Sequence, residues 1–153
     1  MNELGDDKLY KRHKRIIGTL TIISFFASLL LQVNYNNITN MTATIMSIAL
    51  VAYMVVMSAL LGSPYAKELK GKPDSQIPTQ TMLGTLAHYF RWAGRLGIIT
   101  IVISCIYKLK PFVIENKMIS SICSALSCSI FSINILFILL IFVFLVNSLT
   151  KSV

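Results

Sequence analysis

The sequence predicts an all-α, polytopic membrane protein with four transmembrane helices and both termini in the cytoplasm. Three observations predict it. Only 13% of the 153 residues are charged and 55% are hydrophobic, where a soluble domain carries about a quarter charged residues. No Asp, Glu, Lys or Arg occurs from Ile16 to Ala66, or again from Met118 to Thr150. The bases that remain are gathered on one side of the apolar runs.

A membrane span needs roughly 20 apolar residues, since about 30 Å of hydrocarbon is crossed at about 1.5 Å per residue. The first charge-free run is too long for one span, and the polar stretch QVNYNNITN (32–40) divides it. The spans are therefore placed at about 16–33, 43–61, 90–107 and 119–146, in a single membrane domain over 1–153 with a cytoplasmic loop at 62–89. The first span has a basic start like a signal peptide. It is followed by more apolar sequence rather than by a cleavage site and a soluble domain, so it is read as retained.

Orientation follows from the bases. Lys8, Lys11, Arg12, Lys14 and Arg15 precede span one, Lys67, Lys70, Lys72, Arg91 and Arg95 lie between spans two and three, and Lys151 closes the chain. That makes eleven on one side against three (Lys108, Lys110, Lys117) on the other. The positive-inside rule then places both ends and the central loop in the cytoplasm of a bacterial inner membrane. The net charge of +8 is accounted for by topology, so direct nucleic-acid binding is not expected.

Within this frame each element has a local reason. MNELGDDKLYKRHKR (1–15) puts its acids first and its bases against the membrane, where anionic headgroups attract them. In the first outer loop, Tyr35 is expected at the interface, and the sequons at Asn37 and Asn40 are taken as chance. The central GSPYAKELKGKPDSQIPTQ (62–80) holds three of the four prolines, which ends helix two and forbids a long regular element. Thr79 or Thr81 can then N-cap a new helix. Continued to Tyr107, that helix is about 40 Å long and its first three turns project into the cytoplasm.

On that extension lies HYFRWAGR (88–95), in which His88, Arg91 and Arg95 share one helical face at i, i+3 and i+7. With Lys67, Lys70 and Lys72, this face is the candidate site for anionic lipid headgroups or for an acidic soluble partner. A phosphate or nucleotide site is less well supported, because no glycine-rich cradle accompanies the bases. Gly94 and Gly97 are read as points of close helix contact. Span four opens with SSICSALSCSIFS (120–132), which aligns Ser120, Ser124 and Ser127 on one face and Cys128 on the next. With Asn134 deeper in the span, these residues form either a helix-packing face or the lining of a pore in a homo-oligomer.

Catalytic chemistry is hard to assemble. All six acids (Glu3, Asp6, Asp7, Glu68, Asp74, Glu115) lie in loops, so no carboxylate pair serves as acid and base at bilayer depth. Cys105, Cys123 and Cys128 form no CxxC, and with only two histidines no metal-ligand set reaches the required count. No enzyme activity, metal or cofactor is expected.

The stretch MSIALVAYMVVMSALLGSPYAKELKG (46–71) resembles the corresponding part of the RexB-like proteins of phage-exclusion systems. There too an apolar second span ends near Gly-Ser and passes into a basic cytoplasmic loop and a third span of modest hydrophobicity. The layout is also similar to the four-span membrane subunit of the Kiwa antiphage system. The comparable region covers roughly 43–107. This resemblance implies an oligomeric membrane sensor or channel component that responds to infection, with a soluble partner and no catalytic residues. Two other roles suit the composition: an immunity protein against a membrane-active bacteriocin, and a holin-like pore.

Overall fold

The computed structural model describes residues 9–74, 76–109 and 117–150. The expectations on Lys8, Lys110, Lys151, Glu3, Asp6, Asp7 and Glu115 lie outside the described residues. Five α-helices account for almost all of the rest: α1 (Lys11–Leu30), α2 (Thr39–Leu61), α3 (Pro64–Gly71), α4 (Met82–Lys108) and α5 (Lys117–Thr150). A 3-10 turn, Tyr35–Ile38, leads into α2. Four of these helices, α1, α2 with its 3-10 turn, α4 and α5, are long and apolar enough to cross a membrane.

The punctuation between helices is local chemistry. At the end of α1 the backbone turns left-handed at Gln32 (φ 49°). The N–H of Gln32 then bonds the Leu29 carbonyl and the N–H of Val33 bonds that of Ser28, which is a Schellman closure made with glutamine in the position that favours glycine. Asn34 caps the 3-10 turn by accepting from the N–H of Asn36 at 3.0 Å. Ser63 serves two helices at once. Its hydroxyl donates to the Leu60 carbonyl at the end of α2 and accepts from the N–H of Ala66 at the start of α3, where Pro64 occupies the first turn. Thr81 caps α4 by accepting from the N–H of Gly84 at 3.1 Å.

Most helix bounds extend beyond the expected spans, although α1 ends at Leu30, short of 33. α1 begins at Lys11 rather than 16, α2 at Thr39 rather than 43, and α5 runs to Thr150 rather than 146. Polar residues can extend a helix beyond the apolar run that anchors it. Within the expected loop 62–89, α3 and the first two turns of α4 are helical.

α4 and α5 pack on each other; α1 lies against α5, and α2 against α4. α1 and α2 are consecutive in sequence but do not pack together. The densest packing lies at the end where α1 begins and α5 finishes. There Leu86, Tyr89, Phe90 and Ala93 of α4 close on Phe137 and Ile141 of α5, with Leu9, Tyr10 and Ile17 of the N-terminal segment and Tyr53, Val56 and Leu60 of α2 around them. So the first turns of α4 are not a free projection. They are the most enclosed part of the molecule.

Further along, Gly97 lets α2 approach α4: a Cβ at Gly97 would meet Leu50 Cδ2 at 3.1 Å. Gly94 has open space around it, so only one of the two glycines marks a close contact. At the opposite end Tyr35 is fully buried, not interfacial, and its hydroxyl meets Ser104 at 2.9 Å and Thr42 at 3.2 Å. A hydroxyl under a loop finds other hydroxyls when water is excluded.

Gln32→Gly should raise stability by about 1 kcal/mol, because glycine adopts the left-handed conformation without the Cβ clash. Thermal unfolding in detergent measures it, and an unchanged or lowered midpoint would show that Gln32 is not strained there.

Candidate functional site

Two groups of side chains at the densely packed end bear on function, and the structure separates them by exposure. Lys67, Lys70 and Lys72 of the α3 region are exposed, as are Arg91 and Arg95 of α4 and Lys11, Arg12, Lys14 and Arg15 at the start of α1. α3 is short and amphipathic: Ala66 and Leu69 are buried and hold it down, which turns Lys67 and Lys70 outward. Lys72 pairs with Glu68 one turn earlier, an exposed contact of small energetic weight.

His88 does not belong to this basic surface. It is 5% exposed, and its Nε2 accepts a hydrogen bond from Trp92 Nε1 at 2.9 Å. An indole N–H only donates, so this nitrogen of His88 carries no proton in that arrangement. The helical register expected for His88, Arg91 and Arg95 is present. However, α4 is packed on several sides at His88 and thins to one packed side near Arg91 and Arg95, so one nominal face is buried at its start and exposed beyond.

The second group went unrecognised in the sequence. Asp74, counted among the loop acids, is 2% exposed. Its Oδ2 accepts from the Tyr10 hydroxyl at 2.6 Å, across 64 residues of chain. Its Oδ1 accepts from the N–H groups of Gln76 (2.8 Å) and Ile77 (3.3 Å), and Thr85, whose hydroxyl donates to Gln80 Oε1 at 3.5 Å, lies close to the carboxylate. The segment is closed behind it by Asp74 N–H to the Gln80 carbonyl and Met82 N–H to the Lys72 carbonyl.

Beside this pair, His13 Nδ1 and the Tyr89 hydroxyl share a hydrogen bond. A phenol hydroxyl and an imidazole nitrogen can each donate or accept, so the direction of this bond follows the His13 tautomer. The rings of Tyr10, His13 and Tyr89 lie in mutual contact, with centroids 5.2 to 6.0 Å apart. The only signal for this cluster in the sequence is the i, i+3 spacing of Tyr10 and His13, which has no meaning until Asp74 and Tyr89 are brought to it.

The electrostatics are those of a buried anion held by neutral donors. Burial alone pushes the Asp74 carboxyl upward, but the bonds from Tyr10, Gln76 and Ile77, together with nearby Thr85, outweigh it, and the group sits below the usual carboxylate range. Tyr10 is pushed above the usual phenol range by burial, by its bond to Asp74 and by the charge there.

In α5, Ser124, Ser127, Cys128 and Asn134 are buried within one chain, while Ser120 is partly exposed. Ser127 donates back to the Cys123 carbonyl at 2.9 Å, and Cys128 lies beside Ser28 of α1. Asn134 Nδ2 reaches Thr100 Oγ1 of α4 at 2.7 Å, while its Oδ1 is buried without a partner. Near the start of α5, Ser120 and Ser124 border a cavity of about 540 Å³ against the end of α1. Ser120 and Ser127 border a second, of about 370 Å³, between α4 and α5. The stripe is thus divided between the α1 and α4 sides of α5 and does not face one common space.

No protein-family model, no curated protein and no solved structure matches the chain.

Two measurements test this geometry. Tyr10→Phe should cost about 2 kcal/mol, the size of a hydrogen bond to a charged acceptor. The folded pKa of Asp74 lies below its unfolded value, so its contribution holds above the ordinary carboxylate range near about pH 4 and is lost as pH falls through the folded value. Tyr10 runs the other way, contributing fully below about pH 10 and losing that contribution as pH rises beyond. The wild type should therefore show a stability plateau between these limits, with a smaller acid-side loss in Tyr10→Phe. Separately, Trp92 is the only tryptophan, so His88→Phe should shift its emission by removing the acceptor for its N–H. Unchanged emission would mean that the bond is not formed.

Proposed function

We propose that the chain is a non-enzymatic, multi-pass protein of a bacterial cytoplasmic membrane, with both termini inside, that assembles with itself and recruits a soluble acidic partner to its basic end. The observation that carries this reading is the division of labour at that end. The groups capable of acid–base chemistry are each engaged with another side chain: Tyr10 with Asp74, His13 with Tyr89, and His88 with Trp92. The exposed chemistry is cationic: Lys67 and Lys70 on α3, and Arg91 and Arg95 on α4. Such a surface attracts headgroup phosphates and acidic protein surfaces alike. The small size of α3, tied down by Ala66 and Leu69, gives the lysines a defined presentation that simple anchoring does not require.

The layout shared with RexB-like proteins supports placing this role in phage exclusion or defence, as a sensor or channel component. Burial of Ser124 and Ser127 within one chain favours a packing role for the α5 stripe over a pore lining.

In mild detergent the protein should migrate as a multimer of defined size, and a strict monomer would remove the self-assembly from this reading. Reversing Lys67, Lys70, Arg91 and Arg95 to Glu should abolish recovery of a soluble partner from the host while membrane insertion persists. If the same partners are recovered at the same yield, the cations serve only as membrane anchors.

A further inference from the structure

We infer that α1 is a latched helix, which swings away from the other spans about its contact with α5 when two hydrogen bonds at its base, Tyr10–Asp74 and His13–Tyr89, open. α1 stands apart from the other long helices in how it is held. It contains no buried residue at all. It packs on α5 but not on α2. Its outward residues Ile22, Ile23, Phe26 and Leu30 are 58 to 83% exposed.

In a bilayer this matters more than it would in water. The contact of α1 with α5 is the most extensive between any two helices and serves as the axis, while apolar side chains of α1 that lift away near its base exchange protein contacts for lipid chains. Directional bonds then decide its position. Those that tie α1 to elements other than α5 are at its base: the Tyr10 hydroxyl on Asp74 and His13 on the Tyr89 hydroxyl. In the last turn of α1, Ser28 lies beside Cys128 of α5 and marks a point of contact about which α1 can tilt. At its far end the strained backbone at Gln32 separates α1 from the turn leading into α2.

The base of α1 lies beyond the apolar run, where water can accept and donate in place of the protein groups. Opening leaves no polar group unsatisfied there. It uncovers the Asp74 carboxylate and carries Lys11, Arg12, Lys14 and Arg15 away from α3, so one motion rewrites the charge pattern of the basic end. This inference goes beyond the proposed recruitment and stands or falls independently of it.

Pulsed electron-spin distance measurement in lipid nanodiscs tests it. Nitroxides are placed at Lys14→Cys and Lys67→Cys in a background with Cys105→Ala, Cys123→Ala and Cys128→Ser. A reference pair at Met54→Cys and Ile98→Cys reports on α2 and α4. The parent should give one dominant α1–α3 distance. Adding Tyr10→Phe and Tyr89→Phe should raise a longer-distance population about tenfold or more, in keeping with the strength of the bonds removed. The α2–α4 distance should not change. Asp74→Asn, which keeps an acceptor for Tyr10 but removes its charge, should give an intermediate population. An α1–α3 distance unmoved by all these variants would overturn the latch. So would equal broadening of both label pairs, since the bonds would then support the whole bundle rather than α1.

Discussion

A carboxylate removed from water must be surrounded by donors or give up its charge, and much of one end of this protein is arranged around that requirement. Asp74 draws its donors from a tyrosine 64 residues earlier and from the backbone of its own loop, with Thr85 on the first turn of α4 close beside it. Satisfying one anion therefore joins the start of α1 to the connection between α3 and α4, beside α4 itself. The His13–Tyr89 bond and the apolar cluster around Leu86, Phe90 and Phe137 lie directly alongside. The segment after α3 is held inward by Asp74 together with buried Ile77 and the Met82 N–H bond to the Lys72 carbonyl.

The opposite arrangement holds along the spans. There the contacts are mostly apolar, and the polar bonds run within a turn or across one helix pair: Ser127 on its own helix, Asn134 Nδ2 on Thr100, Tyr35 on Ser104. Where lipid replaces protein contacts at little cost, such bonds position helices without locking them. The result is a molecule with one tightly joined end and a looser body. The exposed cations sit on the joined end, on short supports, so their spacing is governed by the polar cluster beneath them.

Reading the residues in order recovers some of this and misses some for definite reasons. Helices in the apolar runs, the stop at Gly62–Pro64 and the cap at Thr81 are local events, visible in hydropathy and turn chemistry. Tyr35 was expected at the interface because its neighbours are polar, but it is buried because the 3-10 turn aims it at Ser104, 69 residues away. His88 was grouped with Arg91 and Arg95 because periodicity registers a shared face, yet periodicity carries no information on how far along that face the packing extends.

The amino-acid sequence alone determined that the chain is helical, that four segments can cross a membrane, and that its bases gather at particular connections. These follow from the length of apolar runs and the cost of charge in hydrocarbon, which act residue by residue. Only the tertiary structure decided that Asp74 is an interior group, that His88 is withdrawn from the basic surface, and that the start of α1 is bonded to Asp74 and Tyr89. Those outcomes depend on which distant donors reach a given acceptor, and a hydrogen bond across 64 residues leaves no trace in local composition.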